Sequence, residues 1–314
     1  MTVALLNPEA FNPYIHVLDE PRNTGPTDHI PDSVFDPHSP VRRYAEIATG
    51  LMVPYIAGLA VCRDSIAAGV AEHSHYTEHP YSRVYGTGQA AADLTFADKP
   101  TFHAQSSRLF GFHERKIQGV YQGVYYDANN GPDQAWVWVS THQGIIAANQ
   151  RWGKADSEDN AALWEDIYNI AVSFGTPTEV LPKDLAERNE YYEAMIEGPF
   201  LLQTPVSIAQ AQRAFRFESP KVPSLVAHVS QAISIASLDP RLRERAGLRL
   251  EPRDERINHA VDVIMRQTYS RLSDQRREAI IPAIMRIRPG LMAGVKVVRK
   301  IHDNLEKSKT VART

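Results

Sequence analysis

Phe110-Gly-Phe-His113-Glu-Arg-Lys-Ile117-Gln-Gly119-Val120 is the stretch on which the reading of this chain turns. Apolar side chains recur in it at helical spacing. Phe110, His113, Ile117, Val120 and Val124 are therefore expected on one helix face, with Glu114, Arg115, Lys116 and Gln118 elsewhere. Gly119 and Gly123, on the same expected helix, remove bulk and let another surface come close. A histidine on an apolar stripe can be an ordinary core residue bonded to a carbonyl. It can also offer a neutral imidazole nitrogen to something buried and flat.

The helical pattern continues outward in both directions. Before it, helices are expected over Val41–Thr49, Pro54–Ser74 and Ser82–Ala97, and this one runs Phe102–Tyr121. After it come Trp136–Trp152, Asn160–Phe174, Lys183–Glu197, Val206–Arg216, Ser224–Ala236, Glu255–Leu272 and Ser273–Arg286. No stretch sustains period-two alternation; Gly119–Tyr126 comes nearest. Residues 1–40 carry seven prolines and little periodicity, which reads as an irregular arm. The chain is thus expected to be all-α: the arm, one helical domain over 41–290, and a tail helix over 291–314.

The 314 residues are 43 % hydrophobic and 23 % charged, as in an ordinary globular protein, with a net charge of -3. That balance supplies no field for nucleic acid or an anionic membrane. The single Cys62 excludes an intrachain disulfide and any cysteine-built zinc or iron–sulfur site. The N-terminus lacks a signal-peptide pattern, and the longest apolar run, Leu51–Cys62, is too short to span a bilayer. A soluble, cytoplasmic protein is expected.

Several groups of residues carry possible chemistry. His113, with Phe110 and Ile117 as apolar walls, has the composition of a haem pocket with a proximal histidine. Arg83 and Thr87, four apart, share a helix face where a guanidinium can clamp a propionate or polarise bound dioxygen; the alternative is a surface arginine above a packed threonine. Trp138, His142, Ile145, Asn149 and Trp152 share another face, which either lines an aromatic cavity or is core with bonded polar tips. Arg63 and Asp64 interrupt an apolar run, so each must be paired, near something anionic, or at the surface. Glu72, His73, His75 and His79 are the densest set of potential metal ligands, but no second Glu-x-x-His completes a di-iron site. Motifs for nucleotide hydrolysis, dinucleotide redox chemistry, serine esterases and zincins are absent.

Taken in order, several segments resemble one family, the MpaB-type oxygenases that include the latex-clearing rubber oxygenases. They are Ala67-Ala-Gly-Val-Ala-Glu-His73-Ser74, Ser82-Arg83-Val-Tyr-Gly-Thr87, Phe112-His113-Glu-Arg-Lys-Ile-Gln-Gly119, Trp136-Val-Trp138-Val-Ser-Thr and Leu163-Trp-Glu165, with Leu181-Pro182 and Leu238-Asp-Pro240-Arg-Leu-Arg-Glu-Arg-Ala-Gly247 in the second half. The resemblance covers roughly residues 40–290. It implies a globin-like helical core holding haem b, with His113 at the iron-ligand position and Arg83 and Thr87 near the cofactor. Members cleave carbon–carbon double bonds of isoprenoid chains with dioxygen, and secreted ones carry export signals that this chain lacks. Two departures stand out: Trp138 replaces the histidine of Trp-Val-His, and Arg63 that of Ala-His-Pro. His142, one turn beyond Trp138, is then a candidate distal group.

The resulting expectation is a haem b-dependent oxygenase with iron held by His113. It would use dioxygen on an apolar or natural-product-like small molecule in a biosynthetic role. Arg83 and Thr87 would contact the cofactor, and Trp138, His142 and Arg63 would shape the substrate side. A haem-binding sensor or carrier without turnover, and a non-haem metal enzyme built on Glu72, His73, His75 and His79, are the other readings.

Overall fold

The computed structural model describes residues 20–45, 50–74, 90–153, 157–217, 224–273 and 276. Its helices are α1 (Pro40–Tyr44), α2 (Val53–Ala60), α3 (Asp64–His73), α4 (Lys99–Lys116), α5 (Gly131–Trp152), α6 (Ser157–Phe174), α7 (Leu185–Glu197), α8 (Pro205–Arg216), α9 (Ser224–Ser237), α10 (Pro240–Arg245) and α11 (Pro252–Gln267). A single hairpin, β1 (Gln118–Tyr121) and β2 (Val124–Asp127), separates α4 from α5. The fold is all-α, as the periodicity requires. The chain divides into two compact units, Met1–Ser270 and Arg271–Thr314; the elements named here belong to the first.

Local chemistry sets the helix starts. Asp98, Asn130 and Asp184 each accept a hydrogen bond from the backbone N–H three residues on, capping α4, α5 and α7. Thr204 and Ser207 cap α8 reciprocally, with Pro205 in the first turn. The long α5 is central. It packs against α2 on one side and α6 on another, while α8 packs on α2 and α3, and α9 on α11. Its face toward the protein interior buries Trp136, Val139, Ile145 and Trp152.

Two expectations about helix extent are corrected. The Phe102–Tyr121 helix ends at Lys116, and the chain turns back through Gln122 and Gly123, whose φ values are +48° and +81°. Two successive left-handed residues make the tight turn that matches strand twist, and Gly123 adopts it without steric cost. Val120 and Val124 therefore leave the α4 face; Val120 is exposed and Val124 buried across the hairpin. The Pro54–Ser74 helix is two helices bent by 111°. The break at 61–63 is held by tertiary bonds: Leu202 N–H donates to the Cys62 carbonyl at 2.7 Å, and Asp64 Oδ1 accepts from Thr204 N, Thr204 Oγ1 and Ser207 Oγ at 2.6–2.9 Å. α10 was not anticipated, although Asp239-Pro240 carries a helix-start pattern and Asp239 accepts from Arg241 N at 2.8 Å. The expected Ser273–Arg286 and tail helices lie outside the described residues apart from residues 273 and 276.

No single helix among the described residues is long and apolar enough to cross a membrane. The bent α2–α3 pair passes on composition when taken together, and its Tyr55, Leu59, Ala67 and Ala68 are buried in the protein.

Candidate functional site

His113 occupies the last turn of α4 and is half-buried; its carbonyl accepts from Ile117 N–H at 2.9 Å. The Phe112 ring lies 6.3 Å from the imidazole and is itself 48 % exposed. Three elements converge on this turn. Arg22, from the arm, donates to Asp127 of β2 at 2.6 Å and to Glu114 of α4 at 3.0 Å. Asn129 donates to the same Glu114 oxygen at 3.0 Å. The Asn129 amide and the Arg22 charge hold the Glu114 carboxyl below the usual glutamate range. Arg22 itself is raised, chiefly by its bond to Asp127. The arm continues along the body, with Asn23 N–H donating to the Asn129 carbonyl and Gly131 N–H to the Pro21 carbonyl, both at 2.8 Å. The described part of the expected arm, at residues 21–23, thus ties to the turn beside His113.

The other candidate residues are distributed around this turn and away from it. Phe110 is half-buried, and its ring lies where a Cβ on Gly25 would meet it at 3.6 Å. Ile117 packs on the opposite side against Ala68, Val124 and Tyr126. Arg63 is ion-paired to Asp133 at the start of α5. Burial opposes its charge, and Asp133 more than offsets that, so its pKa stands above the ordinary value. Arg83 and Thr87, like His75 and His79, lie outside the described residues.

Trp138 and His142 share a face of α5, as their spacing requires, and that face meets α6. Trp138 donates to Thr176 Oγ1 at 3.0 Å and stands edge-on to Phe174. His142 is fully buried, edge-on to Trp164 at 5.3 Å between ring centroids. Its Nε2 lies 3.3 Å from the Asn160 carbonyl, so Nε2 carries the proton and Nδ1 is the lone pair, buried without a hydrogen-bond partner among the described residues. Burial, and then the nearby charge of Arg188, push this imidazole well below its usual pKa. Asn149 and Trp152, farther along, bond to the Tyr44 carbonyl and to Asp262. This face is packed core with its polar tips mostly bonded inside the protein.

Arg188 of α7 was not singled out from the sequence. Only 2 % exposed, it donates to Gln143 Oε1 at 2.6 Å and to the Val139 carbonyl at 3.3 Å, and it lies over the Tyr192 ring. No carboxylate is among its described partners, and burial pushes it down to about 10. Nothing in a single sequence marks an arginine on an otherwise mixed helix as buried.

Tyr126 was also missed. Its hydroxyl donates to Glu72 Oε2 at 2.7 Å and lies 2.7 Å from His73 Nε2. Glu72 and His73 are thereby engaged with one tyrosine. Among the described residues no group of three or more His, Cys, Asp or Glu side chains is placed to hold a metal ion.

A family model described as ER-bound oxygenase mpaB/B'/Rubber oxygenase, catalytic domain, matches residues 41–269, which run from α1 through Tyr269 and include His113. The class is therefore an all-α oxygenase domain. The chain belongs to the mpaB/B'–rubber oxygenase family, the family indicated by its motifs. No curated protein and no solved structure matches it.

Proposed function

We propose that this chain is a haem b-dependent oxygenase that uses dioxygen on an apolar small organic molecule, with His113 as the iron ligand. The observation that carries the reading is the position of His113 within the matched catalytic domain, half-buried on a helix end between apolar side chains and locked by a neighbouring ion-paired carboxylate. A half-buried imidazole flanked by Phe112 and Ile117 is a donor of the kind that haem iron takes. When bound, haem b would supply the iron centre at which dioxygen is activated.

The protein's own residues do the rest. The Arg22–Glu114–Asn129 bonds restrict rotation of the last α4 turn and so orient His113. Phe110 and Ile117 exclude water on either side of that turn. Arg83 and Thr87 would meet the cofactor edge. Arg63 would have to leave Asp133 to meet an anionic group, so in this reading it buttresses α5. Trp138 and His142 hold the α5–α6 wall in shape by packing, and His142 stays neutral there.

Purified protein loaded with haem b should show a Soret band that is lost or strongly shifted in His113→Ala. A band unchanged in that variant, or no haem uptake by the wild type, overturns the assignment. Labelled dioxygen should enter an organic product; haem binding without incorporation would leave a carrier or sensor instead.

A further inference from the structure

We propose that Tyr126 is a redox-active tyrosine: a site where the protein gives up one electron while the phenolic proton passes to Glu72. The inference rests on haem lying at His113 for the source of its natural oxidant, but not for its test.

An oxidised phenol is a strong acid, so a tyrosine loses an electron readily only where its proton has a waiting acceptor. Tyr126 has one. Its hydroxyl donates to the Glu72 carboxylate at 2.7 Å, and the His73 imidazole stands 2.7 Å away on the same oxygen. With the hydroxyl hydrogen directed at Glu72, His73 Nε2–H is the donor to the phenolic oxygen and holds it in place. The tyrosine is only 2 % exposed, whereas Glu72 and His73 are exposed, so the transferred proton sits next to solvent and can leave or return.

Two glycines shape the pocket. A Cβ on Gly119 would come within 2.8 Å of the hydroxyl, and one on Gly69 within 3.1 Å of the ring. The ring is thus confined from both sides, which keeps the donor–acceptor distance short. Tyr55 and Tyr192 make the contrast. They are also buried, but they bond to each other, and Tyr55 also to Gln143, so no carboxylate is among their described hydrogen-bond partners.

The position connects the tyrosine to the proposed cofactor side. Ile117, bonded to the His113 carbonyl, packs in one cluster with Tyr126. One side-chain layer therefore separates the tyrosine from the ligand-bearing turn. The step balances simply: Tyr126–OH and Glu72 carboxylate become the Tyr126 phenoxyl radical and Glu72 carboxylic acid, and one electron goes to an oxidant. In the working protein that oxidant is an oxidising equivalent derived from dioxygen or peroxide, and an external thiol or ascorbate returns the electron. The site would then discharge stray oxidising equivalents toward the surface.

The test uses the whole chain and photogenerated tris(bipyridyl)ruthenium(III) as one-electron oxidant, with the radical read by low-temperature EPR. Wild-type protein should give a phenoxyl signal with one dominant, immobilised component that is missing in Tyr126→Phe. Glu72→Gln keeps the tyrosine and removes the acceptor; the component should form about a hundredfold more slowly, the scale of a positioned proton acceptor. The same EPR signal in Tyr126→Phe, or an unchanged rate in Glu72→Gln, overturns the proposal. Because the ruthenium oxidant needs no haem, a missing Soret band would sink the reading of His113 without touching this result.

Discussion

The polar residues buried between α5 and its neighbours α6 and α7 and those around the His113 turn solve the same problem, placing charge near an apolar interior, in opposite ways. Arg188 and His142 are sealed in the core: the first has no described carboxylate, the second is neutral with a bare Nδ1. At the His113 turn Arg22 and Glu114 pair at the protein's edge, about 40 % and 44 % exposed, and only Asp127, on the hairpin, is buried. Buried charge tolerates no loss of a partner, because desolvation is left uncompensated. Edge charge contributes little to stability, since water replaces what is removed. The core therefore sets the global fold, while the edge network adjusts one turn without endangering it.

The largest expected effect tests the core half of this contrast. Asp133→Ala leaves Arg63, only 13 % exposed, without its ion-pair partner, and should destabilise the protein by about 3–5 kcal/mol in urea unfolding. Replacing both partners, in Arg63→Met with Asp133→Leu, should recover most of that. If Asp133→Ala alone loses under about 1 kcal/mol, as an exposed pair would, the core and edge are not different in kind.

The next effect concerns His142. Its folded pKa lies below the unfolded value of about 6.5, so the unfolded chain binds the extra proton first, and stability present above that pH falls as pH drops. Below it, His142 should contribute a loss of about 1.4 kcal/mol per pH unit. Asp166, raised to about 6 mainly by burial, acts with the opposite sign: its contribution is present at low pH and lost as pH rises through about 6. Wild type and His142→Gln, compared between pH 7 and 5, isolate the histidine; parallel pH profiles would contradict its buried neutral state.

The smallest effect belongs to the edge. Glu114→Gln, which weakens the exposed pair with Arg22 and leaves Asp127 paired, should change unfolding stability by about 1 kcal/mol or less. In haem-loaded protein it should nevertheless shift the Soret maximum or the reduction potential, because the charge that Arg22 holds beside His113 is lost. A stability loss several times larger would show the arm to be part of the core, and unaltered spectra would remove its role in orienting the turn.

Much of the helical layout could be read from residues. The starts of α5, α7 and α8 carry Asn130, Asp184 and Thr204 as caps, and those patterns are local. The end of α4 could not be read by periodicity, since Phe110, His113, Ile117 and Val120 continue a helical pattern across a hairpin. The Gln122-Gly123 turn was the signal available, and it competes with that pattern. The break before α3 had only the charged Arg63-Asp64 pair as a local signal, because the bonds that fix it come from Thr204 and Ser207, 140 and more residues away. Within the candidate site, the pairing of Trp138 and His142 on one helix face was legible. That the face is packed core was one of the two readings its composition left open; that it meets α6 was not legible.

The order of amino acids alone determined an all-α protein, its family, and a histidine on one of its helices, because helical periodicity, capping and motif order act over a few residues at a time. Only the tertiary structure decided that Arg63 meets Asp133, that Arg188 and His142 are sealed from water, and that Arg22, Glu114 and Asp127 come together. Burial and charge pairing depend on which distant segments share a neighbourhood, and that is a property of the packed chain.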